Sequence, residues 1–344
     1  MKSLPRLVST VALGAATVFA LAACSEPAAS DTDSTGTAAA DVGTLTVYTS
    51  EPQAKIDALV AAFNEEHPDI TVEVFRAGTG DLTARIEAER TTGAIGADVL
   101  LAADAPTFEG YKADGLLQPY TPADVAALNP DVVDPDGFYV GTRIIPTVIA
   151  YNTTAVDAPP TAWADLTDPK FLGKITLPNP DVSGAAAYNT AVWLSTPELG
   201  EPWLAGLAAN QPIVAESNGP VGQAVAAGTQ PVGIVVDYLV RELAAKGSPI
   251  ALSYPSDGVP YISQPAGIFT DADSTEAARA FVDFLVSKRG QELAVAQQYL
   301  PVRGDVGSPT GAPALTEVAL LSPDLEEITA IQDEAVAKFN DLVG

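Results

Sequence analysis

The chain has 344 residues, with 44 acidic side chains against 17 basic ones, one histidine, one cysteine and a formal net charge of −27. Such an excess repels polyanions at long range and excludes nucleic acid as a partner. The lone histidine lies in Glu65-Glu66-His67-Pro68-Asp69, an exposed turn by its composition, so Ser-His-Asp and Cys-His catalysis and zinc sites with two imidazoles are excluded too.

The chain opens with Lys2 and Arg6, then an apolar run from Leu7 to Ala23 that ends in small residues, the pattern of an export signal. Leu21-Ala22-Ala23-Cys24 resembles the lipobox of bacterial lipoproteins. The resemblance implies a signal peptide over 1–23, a lipid on Cys24, and an extracytoplasmic protein anchored to the cell membrane. Losing Lys2 and Arg6 takes the mature charge to −29. Residues 24–43 are rich in Ser, Asp, Thr, Gly and Pro, cannot bury a core, and read as a tether. With Cys24 acylated, no thiol remains for a disulfide. The body must be stabilised by packing.

The body begins with an alternating strand, Thr44 to Tyr48, followed by a break at Thr49-Ser50-Glu51-Pro52. Ile56, Leu59, Val60 and Phe63 then fall on one face of a helix. A strand over Ile70 to Phe75, a loop at Gly78-Thr79-Gly80-Asp81, a helix through Ile86 and a strand over Ala97 to Leu101 complete the first series. A second series runs through a strand at Lys174 to Leu177, a helix from Ser183, a strand at Pro212 to Ala215, a helix from Pro220 and a strand at Val232 to Val236. Alternating strands and helices predict an α/β fold of two lobes with mostly parallel sheets. Two extended segments, Arg143 to Tyr151 and Val259 to Phe269, read as crossings between the lobes. Lobe 1 is therefore expected over 44–143 with 264–344, and lobe 2 over 144–263. The C-terminal third is helical, with one stripe at Ala278, Phe281 and Leu285 and another at Leu325, Ile328, Ile331, Val336, Phe339 and Leu342.

Polar loops precede four of these helices: Thr49-Ser50, Thr79-Gly80, Ser183-Gly184 and Ser217-Asn218-Gly219. Helix starts leave N–H groups unpaired and carry the positive end of the dipole, and small hydroxyl residues let an oxyanion approach closely. Taken together they predict a cleft for a small anion. Ser50, Thr79, Gly80, Ser183, Gly184 and Asn218 are the expected donors, Arg143 the neutralising charge, and Asp237 with Tyr238 the readers of the ligand's polar remainder. No cofactor is expected, and no catalytic constellation is visible.

Several segments carry a family resemblance. They are Val47-Tyr48-Thr49-Ser50, Gly78-Thr79-Gly80-Asp81-Leu82 with Arg85-Ile86-Glu87-Ala88-Glu89, Gly96-Ala97-Asp98-Val99-Leu100, Leu177-Pro178-Asn179-Pro180, Val232-Gly233-Ile234-Val235-Val236-Asp237-Tyr238, Ala278 to Leu285 and Pro301-Val302-Arg303. From Thr44 to about Asp305 the chain resembles the ferric-iron family of extracellular solute-binding proteins. That resemblance implies a periplasmic-binding-protein fold of the type II, two-crossing hinge kind. It also implies a monomeric receptor, not an enzyme, delivering its solute to the permease and ATPase of an ABC importer. Iron-binding members present several tyrosine phenolates, often in succession; here one tyrosine, Tyr238, follows Asp237, and Tyr139 is the other candidate ligand. Ser50-Glu51-Pro52 and Ala102-Ala103 depart from the iron pattern. An organic phosphate, phosphonate or similar anion is the first expectation, ferric iron with a synergistic anion the alternative, and a surface hydrolase using two carboxylates the remaining enzyme class.

Overall fold

The computed structural model describes residues 43–344. The expected signal peptide, the lipidated Cys24 and nearly all of the tether lie outside the described residues. In chain order the elements begin with β1 (Thr44–Thr49), α1 (Gln53–Glu66), β2 (Thr71–Arg76), α2 (Thr79–Thr92), β3 (Val99–Leu101), α3 (Ala105–Ala113), β4 (Leu117–Gln118) and β5 (Tyr139–Gly141). After the first crossing come β6 (Ile145–Asn152), β7 (Ile175–Pro178), α4 (Gly184–Ser195), α5 (Gly200–Ala209), β8 (Ile213–Ala215), α6 (Asn218–Ala226), β9 (Val232–Val236), α7 (Asp237–Ala245), β10 (Ile250–Ser253) and β11 (Val259–Ile262). The chain then crosses back into β12 (Pro265–Phe269), α8 (Thr275–Val286) and α9 (Lys288–Ala296), and ends with β13 (Leu320–Leu321) and α10 (Leu325–Val343).

Two sheets result. The first has the order β2-β1-β3-β12-β4, with β5 also on β12; the second has β13-β11-β6-β9-β7-β8, with β10 also on β6. Strands joined through helices pair in parallel, as expected: β1 with β2 and β3, and β7 with β8 and β9. The crossing strands make both sheets mixed. β12 runs antiparallel to β3, and β6 antiparallel to β9. A strand that enters its sheet from the hinge side travels against those whose C-terminal ends face the cleft. In the first sheet the central strands β3 and β12 are buried throughout and read as apolar runs, while β1 and β2 nearer the edge alternate; the α1 and α8 stripes cover one face. In the second sheet β6 alternates, Ile149 facing a cluster of Trp163, Trp193 and Trp203 while Val148 and Ala150 face α6 and α7.

The two crossings are short: Thr142 to Ile144 between β5 and β6, and Ser263-Gln264 between β11 and β12. They are bonded to each other, since Thr142 Oγ1 donates to the Gln264 carbonyl at 2.8 Å.

The last segment departs from the lobe 1 expected for it. β13 pairs with β11 in the second sheet, and α10 packs on α4 and α5 as well as on α3, so the C-terminal helix straps across both lobes. Its expected stripe is only partly used. Ile328 and Phe339 are buried, but Leu342 is exposed, while its neighbour Val343 packs on the cluster of Trp163, Trp193 and Trp203.

Candidate functional site

The first turns of five helices face one cavity of about 320 Å3 between the lobes. That size sits at the lower end of the roughly 300–1,000 Å3 of small-molecule sites. From lobe 1 come Ser50, Glu51 and Lys55 around the start of α1, Arg76 at the end of β2 and Thr79 opening α2. Lobe 2 contributes Ser183 and Gly184 at α4, Asn218 and Gly219 at α6, and Tyr238 and Glu242 on α7. Gln264 and Tyr299 close the hinge side.

Helix geometry leaves the N–H groups of Thr79, Gly184, Ala185, Asn218 and Gly219 without an intrahelical acceptor. None donates elsewhere among the described residues. Ser183 Oγ accepts from Ala186 N at 3.3 Å, as an N-cap, and from Asn218 Nδ2 at 3.1 Å. Its hydroxyl proton is thereby left for a ligand. Ser50 Oγ accepts from Ala103 N at 3.1 Å and is placed the same way. Thr79 Oγ1 is buried with no partner among the described residues. Asn218 differs from the expectation in detail: its amide is spent on Ser183 and on Val236 N, so its free donor is the backbone N–H.

The positive charge comes from Lys55 and Arg76, which the sequence reading did not single out. Lys55 Nζ donates to the Gln297 carbonyl at 2.6 Å and lies 3.4 Å from the Glu242 carboxylate. It also stands 4.9 and 4.8 Å from the ring centroids of Tyr238 and Tyr299, within cation–π range. Burial lowers its pKa, while Glu242 and Glu51 oppose the shift. Glu242 is held below the usual carboxylate range: burial works against this, but Lys246 and Lys55 prevail.

Three expected contacts are placed elsewhere. Arg143 is buried at the first crossing, 3.1 Å from Glu51, and its Cζ lies 4.7 Å from the Tyr299 ring. NH1 is close enough to Glu51 for charge pairing but not aligned as a hydrogen bond. Glu51 Oε1 also accepts from Tyr299 Oη at 2.7 Å, and Oε2 from Gln264 Nε2 at 2.9 Å. Arg143 therefore neutralises a buried glutamate that ties both crossings together. Asp237 is fully buried and paired with Arg241 at 2.6 Å, with Tyr254 Oη donating to the same oxygen at 3.0 Å. Burial raises its pKa, Arg241 opposing. It caps an internal ion pair behind α7, not the cavity wall. Gly80 borders a neighbouring cavity, and its N–H donates across the lobes to the Val182 carbonyl at 3.3 Å.

Tyr139 is also remote, since its hydroxyl donates to Glu109 at 2.5 Å and it packs in a different cluster from Tyr238. The neighbour of Tyr238 is Tyr299, with centroids 4.4 Å apart. Both phenols are shifted up by burial, away from phenolate. Lys55 could have been found from its place one turn beyond Ser50. Tyr299 and Gln264 reach the site from distant sequence, and no local pattern marks them.

The lobes meet along a seam of glycines. A Cβ on Gly78 would lie 2.7 Å from Val182 Cγ1, one on Gly80 1.9 Å from the Asp181 carbonyl oxygen, and one on Gly184 2.6 Å from Asp104 Oδ2. At Gly80 the facing atoms are all backbone, an approach that admits no side chain.

Comparison with known proteins follows the same architecture. The family described as bacterial extracellular solute-binding protein matches residues 95–328. Iron uptake protein A2 of Synechocystis is 28% identical over 276 residues, 74% of this chain and 76% of that protein. The putative 2-aminoethylphosphonate-binding periplasmic protein of Salmonella typhimurium is 26% identical over 256 residues, 69% of this chain and 71% of its own. Among solved structures, the periplasmic binding protein AfuA from Actinobacillus pleuropneumoniae, with fructose-6-phosphate bound, superposes with a TM-score of 0.80 at 24% identity. That match covers 88% of this chain and 98% of AfuA, a likeness of fold.

Proposed function

This chain belongs to the bacterial extracellular solute-binding proteins, and on that premise we propose that it captures a small phosphate- or phosphonate-bearing solute between its lobes and hands it to an ABC importer. Lipid on Cys24 and the tether over 24–43 would keep the receptor near its permease and raise the effective concentration for docking. The observation that carries the reading is the convergence of five helix starts, with unclaimed N–H groups and hydroxyls, beside Lys55 and Arg76. An oxyanion is the ligand such donors suit. Glu242 and Tyr238 on α7, beside Lys55, supply acceptors for hydroxyl or amino groups on the rest of the molecule. Isothermal calorimetry with 2-aminoethylphosphonate, fructose-6-phosphate and inorganic phosphate tests it. Saturable heat with at least one is expected; no heat with any of them, alongside binding of ferric citrate, refutes it.

Ferric iron is the second reading, and the pairing of Tyr238 with Tyr299 favours it. Against it, the Tyr299 hydroxyl is already given to Glu51, and Lys55 stands over both rings where a trivalent cation would have to approach. Ferric citrate titrated under visible spectroscopy separates the two. A charge-transfer band lost in Tyr238→Phe would establish iron.

A further inference from the structure

Thr79 and Gly184 face the solute cavity on one side of the seam and a second cavity, of about 610 Å3, on the other. Carboxylates wall this second space: Glu87 on α2, Asp104 and Asp114 at the two ends of α3, Asp181 before α4 and Asp333 on α10. No lysine, arginine or histidine is among its lining residues. Arg90 reaches Glu87 and Asp114 at 2.9 and 2.8 Å, whereas Asp104, Asp181 and Asp333 have no ion-pair partner among the described residues.

Exposed carboxylates alone would make only a solvated face, but two buried groups mark a site. Asp104 is 1% exposed; its Oδ1 accepts the Thr107 N–H at 2.9 Å as the N-cap of α3, and its Oδ2 faces the first turn of α4. Both helix starts favour the ionised form, yet they carry partial charges, and a buried carboxylate calls for a full cation. Tyr111 lines the same cavity at 6% exposure, and its hydroxyl has no partner among the described residues. Buried hydroxyls are nearly always hydrogen-bonded, so this one is placed for a ligand. The spacing of the acids sets the kind of cation. Among the described residues no three acidic side chains converge closely enough to hold a metal ion. Separated carboxylates suit separated positive charges, and the volume is that of a small-molecule site.

We propose that this cavity is a second binding site, for a linear polyamine whose ammonium groups pair with Asp104, Asp181 and Asp333 and donate to the Tyr111 hydroxyl. A carboxylate and a phenol oxygen both accept from ammonium, and hydrogen bonds of this charged kind are the strong ones. The side chain of Asp181 also accepts from Asn340 Nδ2 at 3.0 Å, which fixes the carboxylate and leaves lone pairs for the ligand. The site lies across Thr79 and Gly184 from the solute cavity, and its ligand has the opposite charge.

Isothermal calorimetry of the full chain with spermidine, in the absence of any phosphate compound, tests this. One molecule per chain should bind saturably, and magnesium ions at equal concentration of charge should not displace it. Asp104→Asn keeps an acceptor for Thr107 N, and Tyr111→Phe keeps the packing of the ring; each should weaken binding about tenfold. Asp333→Asn, at an exposed position, should weaken it about threefold. Glu276→Gln removes the same charge from α8, away from the cavity, and should change nothing. No saturable heat with spermidine overturns the proposal. So does displacement by magnesium, or a loss in Glu276→Gln equal to that in Asp104→Asn, since either would mean diffuse attraction to an acidic chain. Failure of phosphate compounds to bind would strike the proposed function and leave this measurement intact.

Discussion

Replacing Gly80 with alanine should abolish lobe closure without destabilising the fold. The new methyl would sit 1.9 Å from the Asp181 carbonyl oxygen, 3.0 Å from its carbonyl carbon and 3.5 Å from Val182 Cα. All three are backbone atoms, so no side chain can rotate away, and the seam must part by more than about 1 Å to reach ordinary contact. Parting removes the Gly80 N–H bond to Val182 O and draws Ser183 and Gly184 off a solute held by lobe 1. Two charge-assisted hydrogen bonds lost from the start of α4 amount to about 3–6 kcal/mol, or roughly 10²- to 10⁴-fold in affinity. Stability should move the other way. Gly80 is the second residue of α2, where alanine is the better helix former by up to about 1 kcal/mol. Calorimetry with whichever phosphate compound binds the unaltered protein, set beside thermal unfolding of both, makes the comparison. Affinity within threefold of the original, at unchanged compactness with solute, would show that the seam is not the closing surface.

Three further outcomes follow from the same geometry. Lys55→Met should weaken binding of an anion by tenfold or more, and the loss should shrink in high salt if charge is the cause; a salt-independent loss would point to packing against Tyr238 and Tyr299. Arg241→Met leaves Asp237 buried without its partner and should cost about 3–5 kcal/mol in urea unfolding, largely regained when Asp237→Asn is added; additive losses would contradict the pairing. Ser183→Ala should lower stability by about 1 kcal/mol through the lost cap on Ala186 N, and affinity about tenfold through the lost donor. A loss in one measurement without the other would separate the two roles of that hydroxyl.

The local signals in the sequence carried the elements that make the site. Thr44 to Tyr48, the apolar stripe of Ile56, Leu59 and Phe63, and the polar turns before α2, α4 and α6 each follow from neighbours a few residues away, through strand alternation, helical period and capping chemistry. Such patterns say that a helix start exists and that it can receive an anion. They cannot say which side chain a tertiary partner has already claimed. Arg143 and Asp237 look, in sequence, like charges free for a ligand; in the fold Glu51 and Arg241 neutralise them, because a buried charge must find its opposite. Gly80 looks like a donor to solute, and its N–H goes to Val182 across the lobes. Tyr299 and Gln264 reach the cavity over more than two hundred residues of intervening chain from Glu51, and the strap of α10 over both lobes is equally non-local. By itself, then, the sequence determined two α/β lobes, two crossings and a cleft of helix starts, all consequences of short-range periodicity. Only the tertiary structure decided which charges face the solute, since that depends on pairings made at long range inside a medium that tolerates no unpaired ion.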